Sequence, residues 1–126
     1  MVDEYIATYL RDVLNAAQDV ETYFSQFPKR FDMFEGDIAK ICVVERKVEI
    51  MGEAINRIRK IDPNFTIPNA REIIATRIRI IHGYDSVQPE FLWSLVVRHI
   101  PNLKKDILEI FKIHGLALYP PKDILS

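Results

Sequence analysis

The sequence predicts an all-α fold, an up-and-down bundle of four to five helices. Three observations carry that expectation. Apolar residues recur at intervals of three and four through two long stretches, prolines interrupt the chain between them, and no segment makes a convincing strand.

The first stretch runs from Asp3 to about Phe27, with Ile6, Leu10, Val13, Leu14, Ala17, Val20, Phe24 and Phe27 along one helix face. Pro28 stops it, because proline lacks the N–H that a helix interior needs. Phe31, Phe34 and Gly36 lead into the second stretch, where Ile38, Ile41, Val44, Val48, Met51, Ile55 and Ile58 mark a helix of roughly seven turns. Ile61 to Pro68, with two prolines and an asparagine, is an irregular link. A third, shorter helix is expected from Asn69, a good N-cap, through Glu72, Ile73, Ile74, Arg77 and Ile80 to a stop at Gly83. Pro89 opens a fourth helix, expected to be interrupted at Pro101 and to resume through Leu103, Ile107, Leu108 and Phe111 as far as Gly115. Ile78 to Ile81 are β-branched enough for a strand, but they have helix formers around them and no partner strand. The domain is therefore expected over 1–115, with 116–126, containing Pro120 and Pro121, as an extended tail.

At 126 residues, 48% hydrophobic and 28% charged, the chain suits one globular core and not a disordered or fibrous class. Cys42 is the only cysteine, so no intrachain disulfide forms, and it is expected to be a small core residue. The N-terminus lacks the basic and apolar pattern of a secretory signal and no apolar run is long enough to cross a bilayer, so a cytoplasmic address without a membrane partner is expected. A net charge of −1 provides no global attraction for nucleic acid. Any RNA contact must come from a local basic cluster or from one assembled between subunits. His99 and His114 have no Cys or carboxylate at ligand spacing, so neither a metal site nor a cofactor is expected. Phe91, Leu92 and Trp93 read as core or dimer contact, not as a base-stacking platform.

The chemistry concentrates in Thr76 to Asp85, where Arg77, Arg79, His82 and Tyr84 stand close together. Metal-independent cleavage of RNA needs a group that exchanges protons near neutral pH and a fixed cation where phosphate charge grows. His82 is the candidate proton carrier and Arg77 the candidate phosphate clamp, since its planar fork matches two phosphate oxygens. Five residues separate them, which on a regular helix places the two side chains about 140° apart. They meet at one phosphate only if the helix end re-aims His82 or if two subunits share a cleft. Arg79, three residues from His82, and Glu53 on the second helix are possible supporting groups; Glu53 is equally well placed to pair with Arg57 four residues on.

Arg77-x4-His82-x-Tyr84 resembles the Arg-x4-His-x-Tyr signature of HepT-like HEPN proteins, the toxin halves of bacterial and archaeal toxin–antitoxin pairs. The resemblance extends to Gly52-Glu53-Ala54, to Ile67-Pro68 followed by Arg71-Glu72-Ile73-Ile74, and to Val87, Trp93, Leu95-Val96, Ile100-Pro101 and Leu103, and covers about Asp3 to Phe111. It implies a HEPN-like helical bundle that works as a homodimeric ribonuclease, with Arg77 and His82 at the dimer cleft, no metal or other cofactor, and RNA rather than DNA as substrate. It also implies a minimal nucleotidyltransferase antitoxin that attaches AMP to Tyr84 as the regulatory modification. A phosphodiester there would place negative charge where the substrate phosphate must sit. The sequence departs from the family pattern at Ile78, where a polar residue usually follows the motif arginine, and at Ala70, where an aromatic often stands. Ile78 keeps a second expectation open: a catalytically silent HEPN subunit that binds nucleotide or assists a partner nucleotidyltransferase.

Overall fold

The Asp3 carboxylate accepts a hydrogen bond from the Tyr5 N–H at 2.7 Å and so starts α1, Glu4–Phe24. The computed structural model describes residues 2–82 and 87–118, and among these every regular element is helical. After α1 come a single-turn α2 (Phe31–Glu35), the long α3 (Ile38–Ile61), α4 (Arg71–Ile81), α5 (Pro89–Ser94) and α6 (Ile100–His114). The chain is therefore an all-α bundle, as expected. Gly83, Tyr84 and most of the expected tail, 119–126, lie outside the described residues.

Two contacts fix the direction of α3 against α1: Lys47 Nζ lies 2.9 Å from Asp19, and Arg57 lies over the ring of Tyr9. Low numbers on α1 meet high numbers on α3, so the pair is antiparallel. The same logic holds for α6, since Lys104 pairs with Glu21 at 2.9 Å and Arg11 donates to the Ala117 carbonyl at 3.0 Å. The facing stripes, Leu10, Val13, Ala17 and Val20 on α1 with Val44, Val48, Met51, Ile55 and Ile58 on α3, are buried and form the centre of the core. Ile73 of α4, Leu92 of α5 and Leu103, Ile107 and Phe111 of α6 close it. Trp93 packs on Phe34 with ring centroids 5.1 Å apart and ties α5 to α2, which supports its reading as a core aromatic. Lys40 is buried, capped by the Met33 carbonyl, by Asp37 and by the face of Phe27 at 4.2 Å.

Four local expectations are corrected. α1 ends at Phe24, three residues early, because Ser25 donates to the Thr22 carbonyl and the chain tightens into turns ahead of Pro28. Asn69 does not cap α4. It takes a left-handed conformation, φ 64°, and its amide donates to Asp106 of α6, so the helix begins at Arg71 behind a buried Ala70. The interruption at Pro101 takes the form of a π-helical turn over Leu95–His99, which joins α5 to α6. Proline at 101 removes one N–H and crowds the carbonyl four residues earlier, and a widened turn accommodates both effects without breaking the rod. Cys42, finally, is exposed and not a core residue.

Candidate functional site

Two buried side chains anchor α4: Ile73, and Thr76, whose hydroxyl donates to the Glu72 carbonyl at 2.7 Å. The helix stays regular to its end, since the His82 N–H still donates to the Ile78 carbonyl at 3.1 Å. Regular winding then sets the angular order on its outer surface. Taking Arg77 as zero and about 100° per residue, Ile81, Ile74 and Ile78 follow at about 40°, 60° and 100°, and His82 at about 140°. An isoleucine stripe thus lies between the two motif residues. Ile78 is 45% exposed and Ile81 50% exposed, a large apolar surface for one helix to leave in water.

Arg77 sits at the α3 edge of that stripe. Its aliphatic stem crosses Gly52 so closely that a Cβ built on Gly52 would fall 2.9 Å from Arg77 Cβ and nearer still to Cδ. Glycine inside a helix costs about 1 kcal/mol relative to alanine, and close approach of a neighbour is the usual reason to accept it. The guanidinium reaches an open bowl of about 550 Å³ lined by Glu53, Asn56, Arg57, Arg59, Lys60 and Arg77. Glu53 accepts a hydrogen bond from Arg57 at 2.9 Å. That bond first, then the charges of Arg57, Arg77 and Arg46, hold its carboxyl below the usual range. Glu53 thus pairs with Arg57, as one of its two expectations has it, and it also lies within the electrostatic reach of Arg77.

The other sites separate. Arg79 lies on the far side of α4 and lines a different depression with Arg71, Glu72, Gln88 and Phe91, away from the bowl at Arg77. His82 is exposed at the end of α4. Tyr84, the expected site of modification, lies outside the described residues. Within one subunit Arg77 and His82 face different directions, so the regular helix does not itself re-aim His82. Among the described residues no group of His, Cys, Asp or Glu gathers as a metal site, and no helix is long and apolar enough to cross a membrane. Arg59 and Lys60 were not singled out from the sequence; they stand in the last turn of α3, where cations are favoured at any helix C-terminus. The one local signal for the bowl was the interior helix glycine at position 52.

A fold of this kind, with a basic α4 followed by an exposed histidine, matches a known family: the model described as ribonuclease HepT-like covers residues 13–110. The chain belongs to that family. A Thermococcus cleftensis protein named "Probable ribonuclease HepT" is 33% identical over 76% of this chain and 86% of its own length. Two Methanocaldococcus jannaschii proteins provisionally named as RNases are 31% and 28% identical; the first aligns over 81% of this chain and 93% of its own, the second over 85% and 88%. No solved structure gives a significant match.

Proposed function

We propose that the protein is a metal-independent RNA endonuclease that acts as a homodimer built on the α4 stripe. The observation that carries this reading is the placement of Arg77 and His82 on the two flanks of a surface formed by the exposed Ile78 and Ile81 and the half-buried Ile74. A two-fold pairing on that stripe buries the isoleucines and sets the Arg77 of one subunit near the His82 of the other, which answers the angular separation within one helix. Membership of a ribonuclease family supports the activity.

Two copies of His82 in one cleft give the reaction a base and an acid. One imidazole takes the proton of a ribose 2′-hydroxyl as its oxygen bonds to phosphorus; the bond from phosphorus to the 5′-oxygen breaks, and the second histidine, protonated, gives that oxygen a proton. Arg77 holds the non-bridging oxygens as negative charge grows on them. The products are a cyclic phosphate and a free 5′-hydroxyl, and neither a metal nor another cofactor enters the proton balance.

The toxin reading belongs with this proposal: a minimal nucleotidyltransferase partner silences the enzyme by joining AMP to Tyr84, two positions after His82. The added phosphodiester carries negative charge into the cleft and repels the substrate. The second reading, a silent subunit, is favoured by Ile78, an apolar residue where the family usually has a polar one. On the dimer reading Ile78 is a contact of the stripe, and its character follows from that role.

Incubation of the purified chain and its His82→Ala variant with mixed RNA in excess EDTA tests the proposal. Fragments from the wild type alone, with a loss of about 10²- to 10⁴-fold on removing the histidine, are expected. Absence of cleavage by the dimeric, unmodified wild type would decide for the silent subunit.

A further inference from the structure

The bowl beside Arg77 carries more positive charge than a clamp on one phosphate requires. Four of its six lining residues are cations, Arg57, Arg59, Lys60 and Arg77, against the single carboxylate of Glu53. Glu53 is bonded to Arg57. Among the described residues Arg59, Lys60 and Arg77 have no carboxylate within ion-pair distance. The C-terminus of α3 contributes about half a negative charge to its last turn, which two cations there more than offset. The protein as a whole is at net −1, so this surplus is local.

Placement matters as much as charge. Arg57 and Lys60 are one helical turn apart on α3, about 4.5 Å along the axis, and Arg77 enters from α4. Arg57 is held by Glu53 and Tyr9, whereas Arg59 and Lys60 are exposed and able to turn toward a ligand. A single-stranded RNA gripped at one phosphate by Arg77 must send its next phosphates somewhere, and this bowl adjoins the grip. We propose that Arg59 and Lys60 form a second phosphate site, holding the RNA backbone phosphate next to the one bound by Arg77. The site is sequence-indifferent, because it reads charge and not base edges. The inference rests on the RNA reading given above and adds the direction in which the strand leaves the cleft, along the end of α3.

The test uses the full chain carrying His82→Ala, so that RNA is not cut, and a short labelled single-stranded RNA whose binding is followed by fluorescence anisotropy over a range of salt. Neutralising both groups (Arg59→Ser with Lys60→Ser) is expected to weaken binding several-fold and to lower the slope of log affinity on log salt by roughly 0.7, the value for one phosphate of a single strand. The charge-keeping pair Arg59→Lys and Lys60→Arg should retain the slope, as should Lys105→Ser on the exposed side of α6. An unchanged slope in the neutralised variant, with Arg77→Ser still reducing it, overturns the second site and leaves the RNA reading standing. Absence of RNA binding by the parent chain overturns both.

Discussion

Gly52 of α3 carries the stem of Arg77 of α4, with no room between them for even a methyl group. The contact sets how near α4 comes to α3 and aims the guanidinium over the bowl. Replacing Gly52 by alanine should force α4 outward. A cost of about 1–3 kcal/mol from overpacking, offset by up to about 1 kcal/mol of helix propensity, is expected in urea denaturation. RNA affinity should fall further than that small loss of stability explains. Unchanged affinity would show that Arg77 reaches phosphate without this support.

Ile78 and Ile81 are the exposed apolar contacts of the proposed dimer. Ile78→Glu and Ile81→Glu should each convert the protein to monomers in sedimentation analysis and abolish cleavage, while helical circular dichroism stays unchanged. A charged variant that remains dimeric would move the subunit interface elsewhere.

Gly115 ends α6 in a left-handed conformation, φ 64°, with the Leu116 N–H donating to the Phe111 carbonyl at 2.8 Å. Nothing crowds a Cβ there, so the cost of a side chain is purely that of the backbone. Gly115→Ala should lower stability by about 1 kcal/mol and Gly115→Asn by less, because asparagine tolerates this region better. Thermal denaturation of the pair gives the ranking.

Asp37 caps α3 by accepting the Lys40 N–H at 3.2 Å. That bond first, and then the Lys40 ammonium, hold its carboxyl below the usual aspartate value. Between the folded and unfolded values the native state binds fewer protons, so stability rises with pH in that window. The contribution is complete above an unfolded value of about 3.9 and is lost as pH falls through the lower folded value. The destabilisation caused by Asp37→Ala should accordingly be constant near neutrality and shrink in denaturation curves taken at about pH 2.

Much of this fold is legible in one sequence because helix burial is periodic. The central parts of the stripes read on the first two long stretches are those that α1 and α3 bury, from Ile6 to Val20 and from Val44 to Ile58, whereas Ile38, read into the second stripe, is exposed at the first position of α3. The exposure of Cys42 was legible by the same rule. It lies two residues before Val44, about 200° around the helix, and its apolar neighbours obscured that position. Asn69 was read from local propensity, and a long-range bond to Asp106 overrode it. Pro101 announced a disturbance in the helix but not its form, because the turn that opens depends on how the carbonyls before it are packed.

By itself the sequence determined the helical class, the two central stripes and the terminus at Gly115, since each follows from spacing along the chain or from one residue's backbone preference. Only the tertiary structure decided that Arg79 lines a different depression from Arg77, that Gly52 supports Arg77, and that Arg59 and Lys60 join Arg77 in one bowl. These last relations span about twenty residues of sequence and an irregular link, and no local periodicity carries across a change of helix direction. What brings the cations together is the burial of Ile55, Ile58 and Ile73, which packs α4 against α3 and leaves the charged flanks of both helices on the same side.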